Sequence, residues 1–350
     1  MRARTAVAEI QAYELMAVLR RDFLRLDLNE SNWGCSPAVL AAMANPAMDI
    51  LSFYPDYRDL EQEVERVYGL TPDCVLFSNG ADDGIRAVMQ TFVDPGEKVV
   101  LAQPSFGMID LHARVMGAQI VPVPYQSDLI FPVAGFRKAA EGRPRLIGIV
   151  RPDSPCGGVI SREDLEGILA AAPDSLVMLD ETYTQFLGES CLDLLRRFPN
   201  LIVLQSFSKA LGLAGVRLGM VAAAPELVTQ MRKVNPPFAV NGLAARAGAA
   251  GLKDPEYLSR VVAGVQNEKS WLGAQLENLG IAVRTSPANF VLAAFGARAG
   301  EVHRGLLERG ILVKNLDKIP VLKGCFRIAV APREQGERLV TALKEIRGRL

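Results

Sequence analysis

Histidine is nearly missing from this chain. Only His112 and His303 occur, which leaves little for a histidine-built metal site or a Ser-His-Asp triad. Cysteine is sparse too: Cys35, Cys74, Cys156, Cys191 and Cys325 are scattered and odd in number. No pair has the close spacing of a zinc ligand set, so they read as free thiols in a reducing, cytoplasmic setting. Neither sign of charge is in surplus. Lys and Arg number 39, as do Asp and Glu, so no basic face is advertised and nucleic acid is not an expected partner. No apolar run reaches the length that crosses a membrane, so no membrane partner is expected either. The amphipathic start, broken by charge, lacks the apolar centre of a signal peptide. There is no internal repeat and no low-complexity linker.

What is present is core. Of 350 residues, 49% are hydrophobic and 22% charged, enough for about two domains. Residues 6–24 carry apolar side chains at mixed three- and four-residue spacing, which predicts a helix. Leu28-Asn-Glu-Ser-Asn-Trp-Gly is polar and turn-rich, and Phe53-Tyr-Pro-Asp-Tyr precedes a helical pattern from Asp59. Short apolar runs then recur at Cys74–Phe77, Lys98–Ala102, Gln119–Val123, Leu146–Val150, Leu176–Leu179, Leu201–Leu204 and Gly219–Ala223. Helical patterns such as Gly84–Val93 and Arg162–Ala171 lie between most of them. This alternation predicts an α/β fold with a mostly parallel seven-stranded sheet sandwiched by helices. After about residue 240 longer helices and a few strands, Ala288–Leu292 and Phe326–Val330, predict a smaller α+β domain.

The chemistry concentrates where the predicted strands end, which is where ligands sit in such sheets. Ser206-Phe-Ser-Lys209 follows one strand, and Arg217 comes eight residues after the lysine. An amine beside two hydroxyls and a planar guanidinium suits a phosphorylated aldehyde, since the amine condenses with the carbonyl while the others hold the phosphate. A solvated lysine near a loop is the plainer alternative. In Ser78-Asn-Gly-Ala-Asp-Asp, Gly80 permits close backbone approach, and the amides of Ala81 and Asp82 would face an anion at a helix N-terminus. An Asn-Gly turn with an Asp cap explains the same residues. Asp180 ends a strand, where a buried carboxylate is costly unless paired; it could equally cap a helix.

Taken together, these motifs resemble the fold-type I pyridoxal-phosphate (PLP) enzymes, the PLP-dependent transferase fold. Among them the chain is most similar to the histidinol-phosphate aminotransferase-like group of the class I/II aminotransferases. The resemblance runs from Leu28-Asn-Glu-Ser to Phe326-Arg-Ile-Ala-Val330. It implies a PLP-binding domain over 28–240, a small domain over 241–350, and an N-terminal helix or arm, 1–27, packed with the small domain. Lys209 would carry the cofactor and shuttle the proton of the substrate carbon. Asp180 would pair with the ring nitrogen and Tyr183 would bond the 3′-oxygen. Gly80, Ala81, Asp82, Ser206, Ser208 and Arg217 would hold the phosphate. Phe106 falls where the family stacks an aromatic ring, usually tyrosine, on the pyridine; locally it could be a core residue.

Five further positions complete the implied site. In the segment that the family usually writes Asn-Asn-Pro-Thr-Gly, this chain has Asp153-Ser-Pro-Cys-Gly157. Ser154 therefore replaces the cofactor-binding asparagine with a shorter hydroxyl. Tyr54 would reach the phosphate of a neighbouring subunit, making a homodimer with shared sites, unless it is a loop tyrosine packed under Pro55. In the small domain Asn289, Lys314 and Arg327 would receive the substrate, the cations taking its anionic group, although the group usually has arginine where Lys314 stands. The implied activity is an aminotransferase using PLP, an anionic amino acid or amino-alcohol phosphate, and a keto-acid acceptor. A threonine-phosphate-type decarboxylase or a racemase could use the same cofactor. A PLP-sensing regulator would need a DNA-binding module, for which the segment before Asn29 is short.

Overall fold

The computed structural model describes residues 2–8, 10 and 19–348. Twelve strands follow in chain order: β1 Leu24–Leu26, β2 Val75–Ser78, β3 Lys98–Gln103, β4 Gln119–Pro124, β5 Leu146–Val150, β6 Leu176–Asp180, β7 Leu201–Ser206, β8 Gly219–Ala223, β9 Ala282–Thr285, β10 Phe290–Ala294, β11 Ile311–Asn315 and β12 Cys325–Ala329. They build two sheets. The larger has seven strands in the order β2-β8-β7-β6-β5-β3-β4. All its pairings are parallel except those of β8, which runs against both β2 and β7.

The central strands β5, β6 and β7 are buried at every residue. That is why they read as unbroken apolar runs rather than alternating ones. Ile147, Ile149, Val177, Leu179, Leu201 and Val203 fill one face. Leu146, Val150, Met178, Ile202 and Leu204 fill the other, under the helix Ala81–Phe92. The expected helices over Gly84–Val93 and Arg162–Ala171 are found at Ala81–Phe92 and Arg162–Ala171. Ser161 caps the second, accepting from the backbone of Asp164.

The smaller sheet has the order β1-β11-β12-β10-β9. The helix Pro255–Asn278, capped by Asp254, packs on β9 and β10. Of the helix expected over 6–24, residues 9 and 11–18 lie outside the described residues. Thr5–Ala8 is one helical turn against the helix Gly107–Val115, with Arg4 donating to the Val115 carbonyl at 3.3 Å. Leu24–Leu26 corrects that reading: it is a strand, with both leucines buried and Arg25 outward, a period of two rather than three and a half. It pairs in parallel with β11. The chain leaving β1 is thereby delivered between the two sheets.

Candidate active site

The carboxyl ends of β2, β3, β5, β6 and β7 lie along one side of the large sheet, with the start of antiparallel β8 beside them. Each contributes to one cleft of about 460 Å³, lined by Ala81, Asp82, Ser105, Phe106, Ser154, Asp180, Tyr183, Ser206, Ser208, Lys209, Arg217, Lys314 and Arg327 among others. Residues far apart in sequence meet here because a parallel sheet aligns its strand ends.

At one end of the cleft the helix Ala81–Phe92 opens on Gly80, and no side chain caps it. Its first amides and dipole therefore remain available to an anion. Gly80 has φ +84°, and a Cβ there would lie 2.3 Å from Arg217 Nη2. A Cβ at Gly219 would come within 2.6 Å of the Ala81 nitrogen. Both glycines are thus needed to bring the turn, the guanidinium and β8 together. Arg217 also meets Asp82 Oδ2 at 3.3 Å, which holds the fork at the helix start. Ser206 accepts from the amide of Ser208 at 3.2 Å, ordering the turn before Lys209.

In the middle, Asp180 is 1% exposed. Its Oδ1 accepts from the Thr182 amide at 2.9 Å. Burial pushes the carboxyl up to about 6, with the Thr182 bonds and the Lys209 charge pulling the other way. Lys209 Nζ donates to the Leu28 carbonyl at 2.9 Å and lies 5.9 Å from the centre of the Tyr183 ring. Tyr183 Oη accepts from Asn29 Nδ2 at 2.9 Å.

The segment after β1 organises the far side. Three successive carbonyls each take one site donor: Asp27 from Arg327 at 2.7 Å, Leu28 from Lys209, and Asn29 from Asn289 at 3.1 Å. Asn29 is fully buried, with φ +53°, a conformation asparagine tolerates better than most residues. Arg327 also donates to Ser154 Oγ at 2.7 Å. Lys314 and Arg327 are register partners across β11 and β12, so their side chains share one face of the small sheet.

Most of the sequence candidates thus converge. Gly80 and Asn289 are not wall residues, yet one admits Arg217 and the other tethers Asn29. Tyr54 stands apart: it is 79% exposed and stacks on Phe238 at 4.4 Å. It does not line the cleft of its own chain, nor is it tucked away as a packed loop tyrosine. Sequence reasoning missed Ser105, Asn29 and the Asp27–Asn29 carbonyls as parts of the site. Only the polar run at Leu28-Asn-Glu-Ser hinted at the last two.

These residues fit a phosphorylated pyridine aldehyde. An uncapped helix start beside Arg217 and two serines suits its phosphate. A buried carboxylate whose strongest cost is desolvation suits a cationic ring nitrogen. Lys209 lies between them. Among the described residues no group of three or more His, Cys, Asp and Glu could hold a metal, and no helix is long and apolar enough to cross a membrane.

Comparison with known proteins bears on the same cleft. Residues 21–343 match the model of the class I and II aminotransferases. The histidinol-phosphate aminotransferase of Symbiobacterium thermophilum is 36% identical over 333 residues, covering 93% of this chain and 91% of that protein. Its counterpart in Caldanaerobacter subterraneus subsp. tengcongensis is 35% identical, covering 92% of each. Among solved structures, the histidinol-phosphate aminotransferase from Sinorhizobium meliloti in complex with pyridoxal-5′-phosphate superposes with a TM-score of 0.90 at 27% identity, covering 100% and 98%. An L-threonine-O-3-phosphate decarboxylase from Porphyromonas gingivalis shares the fold, with a TM-score of 0.80 at 21% identity over 93% and 99%.

Proposed function

This chain belongs to the class I and II aminotransferases, and from that premise we propose that it is a histidinol-phosphate aminotransferase acting as a homodimer in the cytoplasm. It is a PLP-dependent aminotransferase; the phosphate-bearing substrate, the dimer and the role of each residue are our reading. The observation that carries it is the pairing of Lys314 with Arg327 across β11 and β12, opening on the cleft that holds Lys209 and Asp180. Two adjacent cations suit a dianion.

Bound PLP supplies an aldehyde that condenses with amines and a ring that draws electrons from the bonds of the amine-bearing carbon. The protein's residues do the rest. Arg217, Ser206, Ser208 and the amides of Ala81 and Asp82 hold the phosphate. Asp180 would pair with the ring nitrogen and hold it protonated, the cation in turn favouring the ionised carboxylate. With PLP bound, Phe106 would pack against the ring, and Tyr183 and Ser154 would bond its 3′-oxygen. Lys209 would be the base that moves the proton of the substrate's amine-bearing carbon. Its donor bond to the Leu28 carbonyl aims the amine along the cleft wall. Arg327 and Lys314 place the substrate's anionic end, with Asn289 acting through Asn29. The large domain is 28–240 and the small domain 241–350, with 1–27 as an arm; β2–β8 fall in the first and β9–β12 in the second, while β1 of the arm joins the small sheet.

The test is a half-reaction. Protein loaded with cofactor is mixed in turn with histidinol phosphate and with common amino acids, and the absorbance of the bound aldehyde is followed as it converts to the amine. Conversion by histidinol phosphate, with amine transfer on to a keto acid, is expected. Release of carbon dioxide without a keto product, read by mass spectrometry, would instead make the chain a decarboxylase.

A further inference from the structure

The segment after β1 reaches two groups of the cleft from adjacent residues. The Leu28 carbonyl accepts from Lys209, and the side chain of Asn29 meets the Tyr183 hydroxyl. Asn29 is fully buried, and its backbone is held in turn. Its carbonyl accepts from Asn289 Nδ2 at 3.1 Å, and the Asn289 carbonyl accepts from the Val330 amide at 2.8 Å. The residue after Asn289, Phe290, opens β10 and packs edge-on against the Tyr183 ring, with centroids 6.0 Å apart. Both the ring and the hydroxyl of Tyr183 are thus braced from outside the large sheet.

The direction of the Asn29–Tyr183 bond decides what the phenol can do. A phenol has one proton to give, whereas an amide nitrogen can only donate. Asn29 Nδ2 lies 2.9 Å from Tyr183 Oη. The phenol oxygen therefore accepts there, and its own proton is left for another acceptor. The reversed amide would set Oδ1 against the phenol and draw that proton away. It would also carry the nitrogen to the place of Oδ1, which has no hydrogen-bond partner among the described residues. A buried acceptor left idle is tolerated more often than a buried donor. The bond thus runs from Asn29 to Tyr183.

We propose that Asn29 is a positioning residue: by donating to Tyr183 Oη it reserves the one phenolic proton for the cofactor's 3′-oxygen. The inference rests on PLP occupying the cleft with Tyr183 at that oxygen. A phenol that accepts one hydrogen bond gives its own proton more strongly. The 3′-oxygen's negative charge is least compensated once the cofactor's linkage to Lys209 has lost its proton. A donor at that oxygen favours the deprotonated form, so it lowers the pH at which the bound-cofactor absorbance titrates. Asn29 acts on that pH only through Tyr183.

The test uses Asn29→Gly, Tyr183→Phe and the double variant beside wild type. Glycine suits the backbone at Asn29, where φ is +53°, and keeps the carbonyl that Asn289 holds, so only the amide is removed. Each cofactor-loaded chain is titrated by the absorbance of the bound cofactor. Tyr183→Phe should raise the titration pH by about one to two units, as for one charged hydrogen bond. Asn29→Gly should raise it by about half a unit, as for one neutral hydrogen bond. Added to Tyr183→Phe, it should move the titration no further. A merely structural Asn29 would cost stability and leave the titration where it is.

The sign of the shift is decisive. If Asn29→Gly lowers the titration pH, Tyr183 was giving its proton to Asn29 and the proposal is overturned. An unmoved titration, or the same shift with and without the Tyr183 hydroxyl, overturns it too. If Tyr183→Phe titrates like wild type, Tyr183 is not at the 3′-oxygen and the proposal falls with that placement. A second arm avoids the cofactor. Thermal unfolding of the four cofactor-free chains forms a double-mutant cycle, in which Asn29→Gly should cost less once the Tyr183 hydroxyl is gone. Strict additivity would mean that the bond contributes nothing and would overturn the proposal. A wild-type chain that takes up no PLP, with the cycle still non-additive, overturns the cofactor assignment and the role at the 3′-oxygen while leaving the Asn29–Tyr183 bond in place.

Discussion

Lys314 and Arg327, thirteen residues apart in the chain, face each other directly across the antiparallel pair β11–β12. Arg327 is steered by two acceptors, Ser154 Oγ and the Asp27 carbonyl, both at 2.7 Å. The guanidinium is therefore fixed by the large sheet and by the β1 segment at once, while its neighbour is a point charge. One planar fork and one ammonium can grip a phosphate with less selectivity than two forks. Lys314→Arg should raise the ratio of kcat/KM for histidinol phosphate over ordinary amino acids. The expected gain is that of one charged hydrogen bond, about 1.5–3 kcal/mol or roughly one to two decades. An unchanged ratio, with Arg327→Ala abolishing all turnover, would remove Lys314 from the substrate site.

Lys209 should be the residue that bonds the cofactor. Borohydride reduction and peptide mapping should place the pyridoxyl label there. Lys209→Ala should fold normally, since the amine faces a cleft, and lose nearly all turnover. A label on another lysine would overturn the assignment.

Asp180 should show two opposite behaviours. In the cofactor-free chain its carboxyl, pushed up to about 6, holds a proton that the unfolded chain has lost. Stability from this group is present below about pH 4 and falls as pH rises to about 6. Asp180→Asn should flatten that limb in thermal unfolding measured without cofactor. With cofactor bound, the same substitution should cut kcat by orders of magnitude, because the ring nitrogen is no longer held protonated. Near-normal turnover would show that the pairing is wrong.

Ser154 accepts from Arg327 and has one proton left to donate. Ser154→Ala should therefore raise KM for anionic substrates by about tenfold, as expected for one charged hydrogen bond. Ser154→Asn should extend the reach to the 3′-oxygen and shift the pH at which the bound-cofactor absorbance titrates. A spectrum that titrates identically would place this turn away from the ring.

Tyr54, stacked on Phe238, lies on an exposed apolar face with Met48, Leu51 and Phe53. A patch of that kind marks an interface, and a second copy of the chain is the expected cover. Chains carrying Lys209→Ala, mixed with chains carrying Tyr54→Ala, should regain part of the lost activity. In each heterodimer one site would then carry both lesions and the other neither. No recovery after verified subunit exchange, or a monomer in solution, would refute the shared site.

Much of the large sheet was legible in sequence because its physics is local. β5, β6 and β7 are buried on both faces, so Leu146–Val150, Leu176–Leu179 and Leu201–Leu204 announce themselves as apolar runs. Lys209, Asp180, Gly80 and Arg217 sit at strand ends, where the order of elements alone predicts a ligand. Leu24–Leu26 was harder, since three residues at the edge of a small sheet carry too short a pattern to separate strand from helix.

Amino-acid order by itself determined the class of fold, the family, and the residue types available for a phosphorylated aldehyde. It left open the neighbours that are distant along the chain. That Asp27, Leu28 and Asn29 offer consecutive carbonyls to Arg327, Lys209 and Asn289 follows from β1 joining β11 in parallel, a pairing across nearly 290 residues. That Tyr183, just after β6, meets Asn29 and Phe290 likewise depends on how the two sheets come together. Hydrophobic periodicity is a property of one segment and survives in a string of letters. The direction of a donor, and the desolvation that shifts a carboxyl, arise only when separate segments exclude water together.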